Sequence, residues 1–222
     1  MEKMLEEILS NAKFIYRGAE SDLYEINFLG RKAILKWRKP KPYRIEALDR
    51  YIRKERTIRE VTVMLKLRRY GVNVPRVFHI LIENNAFIME KLSGVIVRDT
   101  INLENYKWIA KELGRIVAKM HNLNIVHGDL TTSNVILSPD HKLYLIDFGL
   151  SAVTTKIEEM AVDLELLYRV LESTHTRIYN EFFEIFKEIY LNNFSYGCDV
   201  LREFERIRRM GRYIPKEERV WR

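Results

Sequence analysis

The sequence predicts an α+β fold of two small lobes, with a β-rich N-terminal lobe that holds one main helix and a short helical C-terminal lobe. Two observations support this prediction: alternating apolar and polar residues dominate the first part of the chain, and helical apolar spacing dominates the rest. The chain has 222 residues, of which 47% are hydrophobic, enough for one domain or for two small lobes that share a cleft. We expect the lobes to span residues 1–92 and 93–222.

The N-terminal part shows the alternation of an antiparallel sheet after a short helical start. Residues 14–37 predict three strands joined by two turns. Helical apolar spacing follows over about residues 52–70, and Gly71 ends that helix. Two short strands are then expected near residues 75–81 and 86–90, which completes the β-rich lobe.

The C-terminal part is mostly helical and contains one predicted hairpin. Apolar residues recur on one helical face between residues 108 and 120. The hairpin covers residues 134–146. Helical spacing resumes over residues 163–171 and 181–191, so this lobe is expected to be a short helical bundle.

Cysteine content and hydropathy bound the location of the protein. The single cysteine, Cys198, excludes an internal disulfide, and we expect it to be a small buried hydrophobic side chain. Acidic residues stand where a signal peptide needs a basic region, and charges interrupt every hydrophobic run before the roughly 20 residues of a membrane helix. These features predict a cytoplasmic protein with no membrane partner.

Positive charge is concentrated in two stretches of a chain with a formal net charge of +7. Residues 31–76 hold 16 Lys/Arg and 4 Asp/Glu, a local charge of +12, and residues 202–222 hold 8 and 4, a local charge of +4. The remaining residues carry −9. This polarity suits a polyanion such as ATP or RNA, with a solvated, ion-paired surface as the alternative.

The strongest chemical signal is the segment 127–134, His-Gly-Asp-Leu-Thr-Thr-Ser-Asn, followed thirteen residues after Asn134 by Asp-Phe-Gly at 147–149. Phosphoryl transfer needs one carboxylate near the accepting oxygen and oxygen ligands for Mg²⁺, whose other partners are nucleotide phosphates. Asp129 lies on a loop, and the hairpin returns the chain so that Asp147 can face Asn134 across one metal site. Each piece alone is a common turn, whereas the ordered combination predicts this chemistry.

These residues resemble the catalytic set of protein kinases. The resemblance implies that Asp129 is the catalytic-loop aspartate and that Asn134 and Asp147 bind Mg²⁺. In the same resemblance, Lys36, at the end of an Ala-Ile-Leu-Lys strand, is similar to the lysine that holds the α- and β-phosphates of ATP.

The partner of Lys36 is expected on the main helix of the N-terminal lobe. Glu60 is the first candidate, because it lies within the apolar-patterned turns that must dock on the sheet, and Glu55 is the second. An exposed surface glutamate is the alternative for either residue.

Two further segments are expected to contact the nucleotide in this resemblance. The phosphate-covering turn has one glycine where ordinary kinases have three, and its residues are Gly18, Ala19, Glu20 and Ser21. The interlobe strand and hinge, whose backbone would pair with adenine, contain Met89, Glu90 and Leu92.

Departures from ordinary kinases narrow the resemblance. Gly128 replaces the arginine that usually precedes the catalytic aspartate, so switching by a phosphorylated activation segment is not expected. No Ala-Pro-Glu follows Gly149, and Asp163 comes at once on the next helix, where it is similar to the kinase aspartate that holds the catalytic-loop backbone. The usual peptide-binding platform is therefore missing from the sequence.

The short motifs taken together resemble one family: Gly-Ala-Glu in the first turn, Lys-Pro-Tyr-Arg, Arg-Thr-Ile-Arg-Glu at 56–60, the segment 125–134, and a basic C-terminus with Gly-Arg-Tyr. It is the small atypical kinase/ATPase subunit of the KEOPS complex, related to RIO-type kinases, in an archaeal-like stand-alone form. The resemblance implies an ATP- and Mg²⁺-dependent serine/threonine kinase or ATPase that supports threonylcarbamoyladenosine (t6A) modification of tRNA. The implied partners are the threonylcarbamoyl-transferring subunit, a small regulatory subunit and, through the complex, tRNA.

Two other functions stay open at this point. Small-molecule phosphotransferases of the aminoglycoside or choline kinase type also use His-Gly-Asp followed by Asn, but the 73 residues after Gly149 leave little room to wrap an acceptor. A non-catalytic RNA-binding scaffold is the second, and the intact catalytic set argues against it. We also expect arginines near the C-terminus to contact tRNA phosphates, unless this segment folds back toward the cleft: Arg206, Arg208, Arg209 and Arg212.

Overall fold

A computed structural model describes residues 2–212 of the chain. The N-terminal part is a five-stranded antiparallel sheet flanked by two helices. The strand order is β1-β2-β3-β5-β4. The elements are α1 (Glu2–Ser10), β1 (Lys13–Arg17), β2 (Asp22–Phe28), β3 (Arg31–Trp37), α2 (Glu46–Arg69), β4 (Val77–Leu81) and β5 (Ala86–Glu90).

Strand β3 divides its side chains between the two faces of this sheet. Ala33 and Leu35 point toward α1, where they join Leu5 and Ile88 in a small apolar core. Lys36, the next residue, points to the opposite face and reaches α2. Because successive side chains of a strand alternate, the same strand closes a core and presents its lysine to the helix.

Helix α2 begins at Glu46, so the predicted start near residue 52 is wrong. Its first turns do not show apolar spacing because their buried face is polar. Asp49, Arg53 and Thr57 are all buried there, and Arg53 Nε donates a hydrogen bond to Asp49 Oδ2 at 2.6 Å. Ion pairs and hydrogen bonds, rather than apolar contacts, cover this end of the helix.

The C-terminal part is mostly helical, with α4 packed against α6 and α5 packed against α7. The predicted hairpin is confirmed as β8 paired with β9, with Val135 opposite Leu145. The elements are β6 (Val95–Ile96), α3 (Val97–Thr100), α4 (Tyr106–Asn122), β7 (Ile125–Val126), β8 (Val135–Leu137), β9 (Leu143–Leu145), β10 (Ala152–Val153), α5 (Ile157–Thr174), α6 (Tyr179–Asn193) and α7 (Gly197–Arg212).

The larger apolar core joins the end of α2 to the C-terminal part. Val61, Met64 and Leu67 of α2 belong to the same cluster of buried side chains as Leu113 and Val117 of α4. The C-terminal half of α2 is therefore fixed to the helical part, while its N-terminal half lies on the sheet. This arrangement places the middle of α2 beside the cleft between the two parts.

The basic stretch near the C-terminus contains a helix that the sequence analysis did not predict. Helix α7 covers Gly197–Arg212, and residues 213–222 lie outside the described residues. Cys198 in its first turn is exposed, so the expectation of a buried cysteine is wrong. The preceding Gly197 is the residue that faces Leu191, which directs Cys198 away from the packing surface.

Within residues 2–212 we find no helix that is both long enough and apolar enough to cross a membrane.

Candidate active site

Lys36 lies between two carboxylates at the passage between the sheet and the helical part. Its Nζ donates hydrogen bonds to Glu60 Oε1 at 2.8 Å and to Asp147 Oδ1 at 2.7 Å. The side chains of Lys36 and Glu60 are 5% and 1% exposed, whereas that of Asp147 is 53% exposed. Of the two candidate partners on α2, the structure therefore places Glu60 against Lys36 and leaves Glu55 exposed.

Asp147 opens a tight turn at the end of the hairpin. Its φ of 60° is left-handed, and its Oδ1 also accepts the backbone N–H of Gly149 at 3.2 Å. Partial desolvation of the face toward Lys36 opposes ionisation of this carboxyl, but the charge and hydrogen bond of Lys36 outweigh it and hold the pKa of Asp147 below its ordinary value. The group is thus a carboxylate with one face open to the cleft.

The loop that carries Asp129 is tied to Asn134. Asn134 Nδ2 donates to both the backbone oxygen and Oδ2 of Asp129, each at 2.9 Å. The buried His127 contacts Ile146 O through Nε2 at 3.1 Å and accepts the Asp129 N–H on Nδ1 at 3.3 Å. Because a carbonyl oxygen can only accept, His127 Nε2 carries the proton, and the ring links the loop to the hairpin.

Asp163 on α5 binds the backbone of the same loop. Its two carboxylate oxygens accept the backbone N–H groups of His127 at 2.6 Å and Gly128 at 2.8 Å. This contact agrees with the kinase resemblance for Asp163. Gly128 itself has a φ of +78°, and a Cβ there would lie 2.3 Å from Leu150 O. The glycine is therefore required by the backbone, a reason that sequence alone could not give.

The turn at residues 18–21 is anchored by side chains rather than by additional glycines. Gly18 N–H bonds to Ser21 O at 2.8 Å. Glu20 forms ion pairs with Arg44 at 3.0 Å and with Arg56 of α2 at 2.9 Å. Partial burial raises the pKa of Glu20, but the two guanidinium groups outweigh it and hold that pKa below its ordinary value. Glu20 was predicted to lie in this turn, whereas its two arginine partners come from distant segments and could not be predicted from local pattern.

The predicted hinge runs out of β5 at the edge of the cleft. Met89 and Glu90 are the last residues of that strand, and Leu92 follows it. Glu90 N–H is bonded to Arg76 O at 2.8 Å, and Arg76 N–H donates to Glu90 Oε2 at 3.1 Å. The Glu90 N–H is therefore already used, and Leu92 offers the next backbone donor for a base.

The donor set of the cleft fits Mg²⁺. Asp147 supplies a carboxylate, and Asn134 uses its amide nitrogen on Asp129, which leaves its amide oxygen as the ligand atom. Residues 2–212 contain no cluster of three or more His, Cys, Asp or Glu side chains that could hold a metal alone.

Three arginines of α7 contact side chains within the helical part. Arg208 lies over the ring of Tyr168 at 3.7 Å and close to Glu165 at 3.7 Å, so it packs α7 onto α5. Arg206 pairs with Glu203 at 2.5 Å, and Arg209 pairs with Glu205 at 3.6 Å. Arg212 is the last residue of the helix, and its side chain is outside the described part of the chain.

These features together define a small protein-kinase-like fold. They are an antiparallel sheet, a helix whose glutamate pairs with a sheet lysine, and a helical part that carries this loop and hairpin. A solved structure, the Rio2 kinase-ADP/Mg²⁺-phosphoaspartate complex from Chaetomium thermophilum, matches it with a TM-score of 0.65. The match covers 94% of this chain and 74% of that chain at 14% identity. It shows the fold alone, and it confirms the predicted fold class.

Sequence comparisons give the family. Residues 23–187 match the family model described as the RIO domain. The KEOPS complex subunit Bud32 of Pyrococcus abyssi is 38% identical, with 94% of this chain and 98% of that protein covered. The EKC/KEOPS complex subunit Tp53rkb of Mus musculus is 36% identical over 92% of this chain and 88% of that protein. The chain belongs to the RIO-domain family that contains these KEOPS subunits.

A third relative shows the same unit inside a longer protein. The probable bifunctional tRNA threonylcarbamoyladenosine biosynthesis protein of Methanobrevibacter smithii is 36% identical over 90% of this chain. The match covers 36% of that protein. The predicted resemblance to the KEOPS kinase family is thus confirmed.

Proposed function

We propose that this chain binds MgATP in the cleft and transfers or hydrolyses the γ-phosphate in support of t6A modification of tRNA, as a subunit of a KEOPS-type complex. The observation that carries the proposal is the convergence of Lys36, Glu60 and Asp147, beside a catalytic loop in which Asn134 fixes Asp129. Phosphoryl transfer is catalysed mainly by positioning and by electrostatic stabilisation, and these residues supply both.

Lys36 provides a fixed positive charge, and Glu60 orients it. Lys36 Nζ also donates to Asp147 Oδ1 at 2.7 Å, which brings the ammonium and that carboxylate to one point of the cleft. Lys36 would hold the α- and β-phosphates of ATP. Asp147 and the amide oxygen of Asn134 would hold Mg²⁺, and the bound ion would neutralise charge on the phosphates.

Asp129 acts on the acceptor. Its carboxylate is held by Asn134 Nδ2 at 2.9 Å and is partly open to the cleft. It accepts the proton of an attacking hydroxyl, or positions water when the reaction is ATP hydrolysis. The turn at residues 18–21 covers the phosphates, and the backbone at Glu90 and Leu92, beside Met89, meets adenine.

The names of the relatives support the proposed biological role. Two of them are named as KEOPS complex subunits, and a third as a tRNA threonylcarbamoyladenosine biosynthesis protein. We place this chain next to the threonylcarbamoyl-transferring subunit and a small regulatory subunit, with tRNA bound through the complex. An aminoglycoside-type kinase is disfavoured, because α5, α6 and α7 pack against one another and α6 packs against α4, so residues 157–212 leave no separate helical region to wrap an acceptor.

The decisive experiment reconstitutes t6A formation from this chain, its two partner subunits, tRNA, ATP and Mg²⁺. We expect Asp129→Asn to lower the rate about 100-fold, since a positioned base contributes at least that much. The matched control is Asp140→Asn, which changes an aspartate of the exposed hairpin turn that pairs with Lys142. Wild-type rates from Asp129→Asn would contradict the catalytic role, and wild-type rates from a mixture without this chain would contradict the t6A role.

A further inference from the structure

Arg38 is a buried arginine with no part in the proposed binding of phosphates, adenine or Mg²⁺. Its side chain is 1% exposed. Nη2 donates to Glu60 Oε2 at 2.5 Å, and Nη1 donates to Thr57 Oγ1 at 3.3 Å. A buried guanidinium is costly unless its charge is compensated, so these two bonds fix its position strongly.

Arg38 and Lys36 share one carboxylate. Lys36 takes Oε1 of Glu60 and Arg38 takes Oε2, so the glutamate is held from both sides. The two cations are balanced by Glu60 and Asp147. Loss of Arg38 would leave one excess negative charge where the phosphates of a nucleotide must bind.

The guanidinium also lies against the turn that carries Asp147. A Cβ added at Gly149 would be 3.3 Å from Arg38 Nη2, a separation tighter than ordinary van der Waals contact. The absence of a side chain at Gly149 lets the guanidinium approach this closely. Arg38 therefore touches α2 at Glu60 and approaches the metal-binding turn at Gly149.

The backbone of Arg38 is fixed as firmly as its side chain. Its N–H donates to Asn85 O at 3.0 Å, and its carbonyl accepts Arg53 Nη1 at 3.3 Å. Position 38 is thus tied to the loop before β5 and to the first turns of α2.

We propose that Arg38 is a positioning residue that sets Glu60 and the Asp147 turn relative to each other. In protein kinases the lysine–glutamate pair must be in place for activity, and movement of the helix that carries the glutamate controls it. Here a second, buried cation keeps Glu60 on Lys36 without a phosphorylated segment. The effect on catalysis rests on the proposed function, whereas the effect on the Asp147 turn does not.

The test compares Arg38→Met, Arg38→Lys and Arg68→Met. Arg68 is the control: it is a partly buried arginine near the other end of α2, where its Nη1 donates to Val74 O at 2.9 Å. We expect Arg38→Met to lower kcat/KM for MgATP about 100-fold, because a displacement of catalytic groups by about 1 Å costs that much. Arg38→Lys restores the charge but not the fork that reaches both Glu60 and Thr57, so it recovers part of the loss. Arg68→Met lowers stability without this loss.

Amide hydrogen exchange over residues 146–150 gives a readout that does not need turnover. We expect faster exchange at the Asp147 turn in Arg38→Met and wild-type exchange there in Arg68→Met. Equal kcat/KM and equal exchange in the two variants would make Arg38 merely structural and overturn the proposal. If wild type neither binds nor turns over MgATP, the proposed function fails while the exchange data still decide the role of Arg38. If Arg38→Met does not fold, Arg38→Lys is judged by the same comparison.

Discussion

Asp163 accepts the backbone N–H of Gly128 at 2.8 Å, and its second oxygen accepts the N–H of His127 at 2.6 Å. One buried carboxylate of α5 therefore fixes the loop on which Asp129 lies. His121 approaches Asp163 at 3.4 Å, and Tyr190 supports that ring at 2.7 Å. The loop that carries Asp129 thus takes its shape from the helical core that packs against it.

Replacement of Asp163 removes this support. We expect Asp163→Ala to lower the free energy of unfolding by about 3 kcal/mol, because it leaves two buried N–H groups without an acceptor. Asp163→Asn should be intermediate, since its amide can accept only one of the two. Denaturant unfolding measures both, with the exposed Glu158→Ala on the same helix as a control within about 0.5 kcal/mol of wild type. Equal stability of Asp163→Ala and the control would refute the contact.

Gly128 should not tolerate a side chain. We expect Gly128→Ala to cost about 3 kcal/mol, because the left-handed backbone is unfavourable for alanine and its Cβ would meet Leu150 O at 2.3 Å. Gly30→Ala is the matched control, since Gly30 has a φ of +76° and no atom within 4 Å of an added Cβ. Thermal unfolding of the two variants separates the backbone term from the clash. Similar losses in both would show that the approach to Leu150 is unimportant.

The sequence was informative where local pattern decides the structure. Strands β1 to β3 follow from alternation, and the pairing of Lys36 with Glu60 rather than Glu55 follows from the helical face that must dock on the sheet. The spacing from Asn134 to Asp147 is set by a hairpin, whose signal is also local.

What the sequence did not predict depends on contacts between distant segments. The first turns of α2 bury Asp49 and Arg53, so their pattern is not apolar. Helix α7 is rich in charge and was treated as a basic segment rather than as a packed element. Arg38 could have been noticed two residues after Lys36, on the same side of an extended strand. Its pairing with Glu60, however, depends on how α2 packs on the sheet and is seen only in the folded chain.

Glu20 should contribute to stability through its two arginine partners. We expect Glu20→Gln to lower the free energy of unfolding by about 1 kcal/mol at pH 7, a small effect because these pairs are partly exposed to solvent. The pKa of Glu20 is lowered in the folded chain, so its contribution is present above the ordinary value of 4.5 and is lost as pH falls through the lower folded pKa. Unfolding of both proteins from pH 7 to acid should show the difference shrinking. A stability difference that grows as the pH falls would contradict a lowered pKa of Glu20 in the folded chain. Glu83→Gln is the control, because Glu83 forms only a weak, exposed ion pair.

The arginines of α7 fall into two groups with different expected effects. Arg208 packs on Tyr168, so its loss should lower stability. Arg206 and Arg209 are exposed, and their joint replacement by serine should weaken tRNA binding by the assembled complex and flatten the slope of log affinity against log salt, by roughly one unit for each lost phosphate contact. The exposed Arg115→Ser on α4 is the control. An unchanged slope would remove α7 from RNA binding.

Mg²⁺-dependent ATP turnover by wild type, Asp147→Asn and Asp140→Asn, each with its unfolding temperature, tests whether Asp147 holds Mg²⁺ at the nucleotide. Both aspartates belong to one hairpin region, but only Asp147 contacts Lys36. We predict that Asp147→Asn folds normally and loses turnover about 100-fold or more, because electrostatic stabilisation of the phosphates through Mg²⁺ is removed. Asp140→Asn should equal wild type. Wild-type turnover by Asp147→Asn, with the same Mg²⁺ dependence, would contradict the role of Asp147 in holding Mg²⁺.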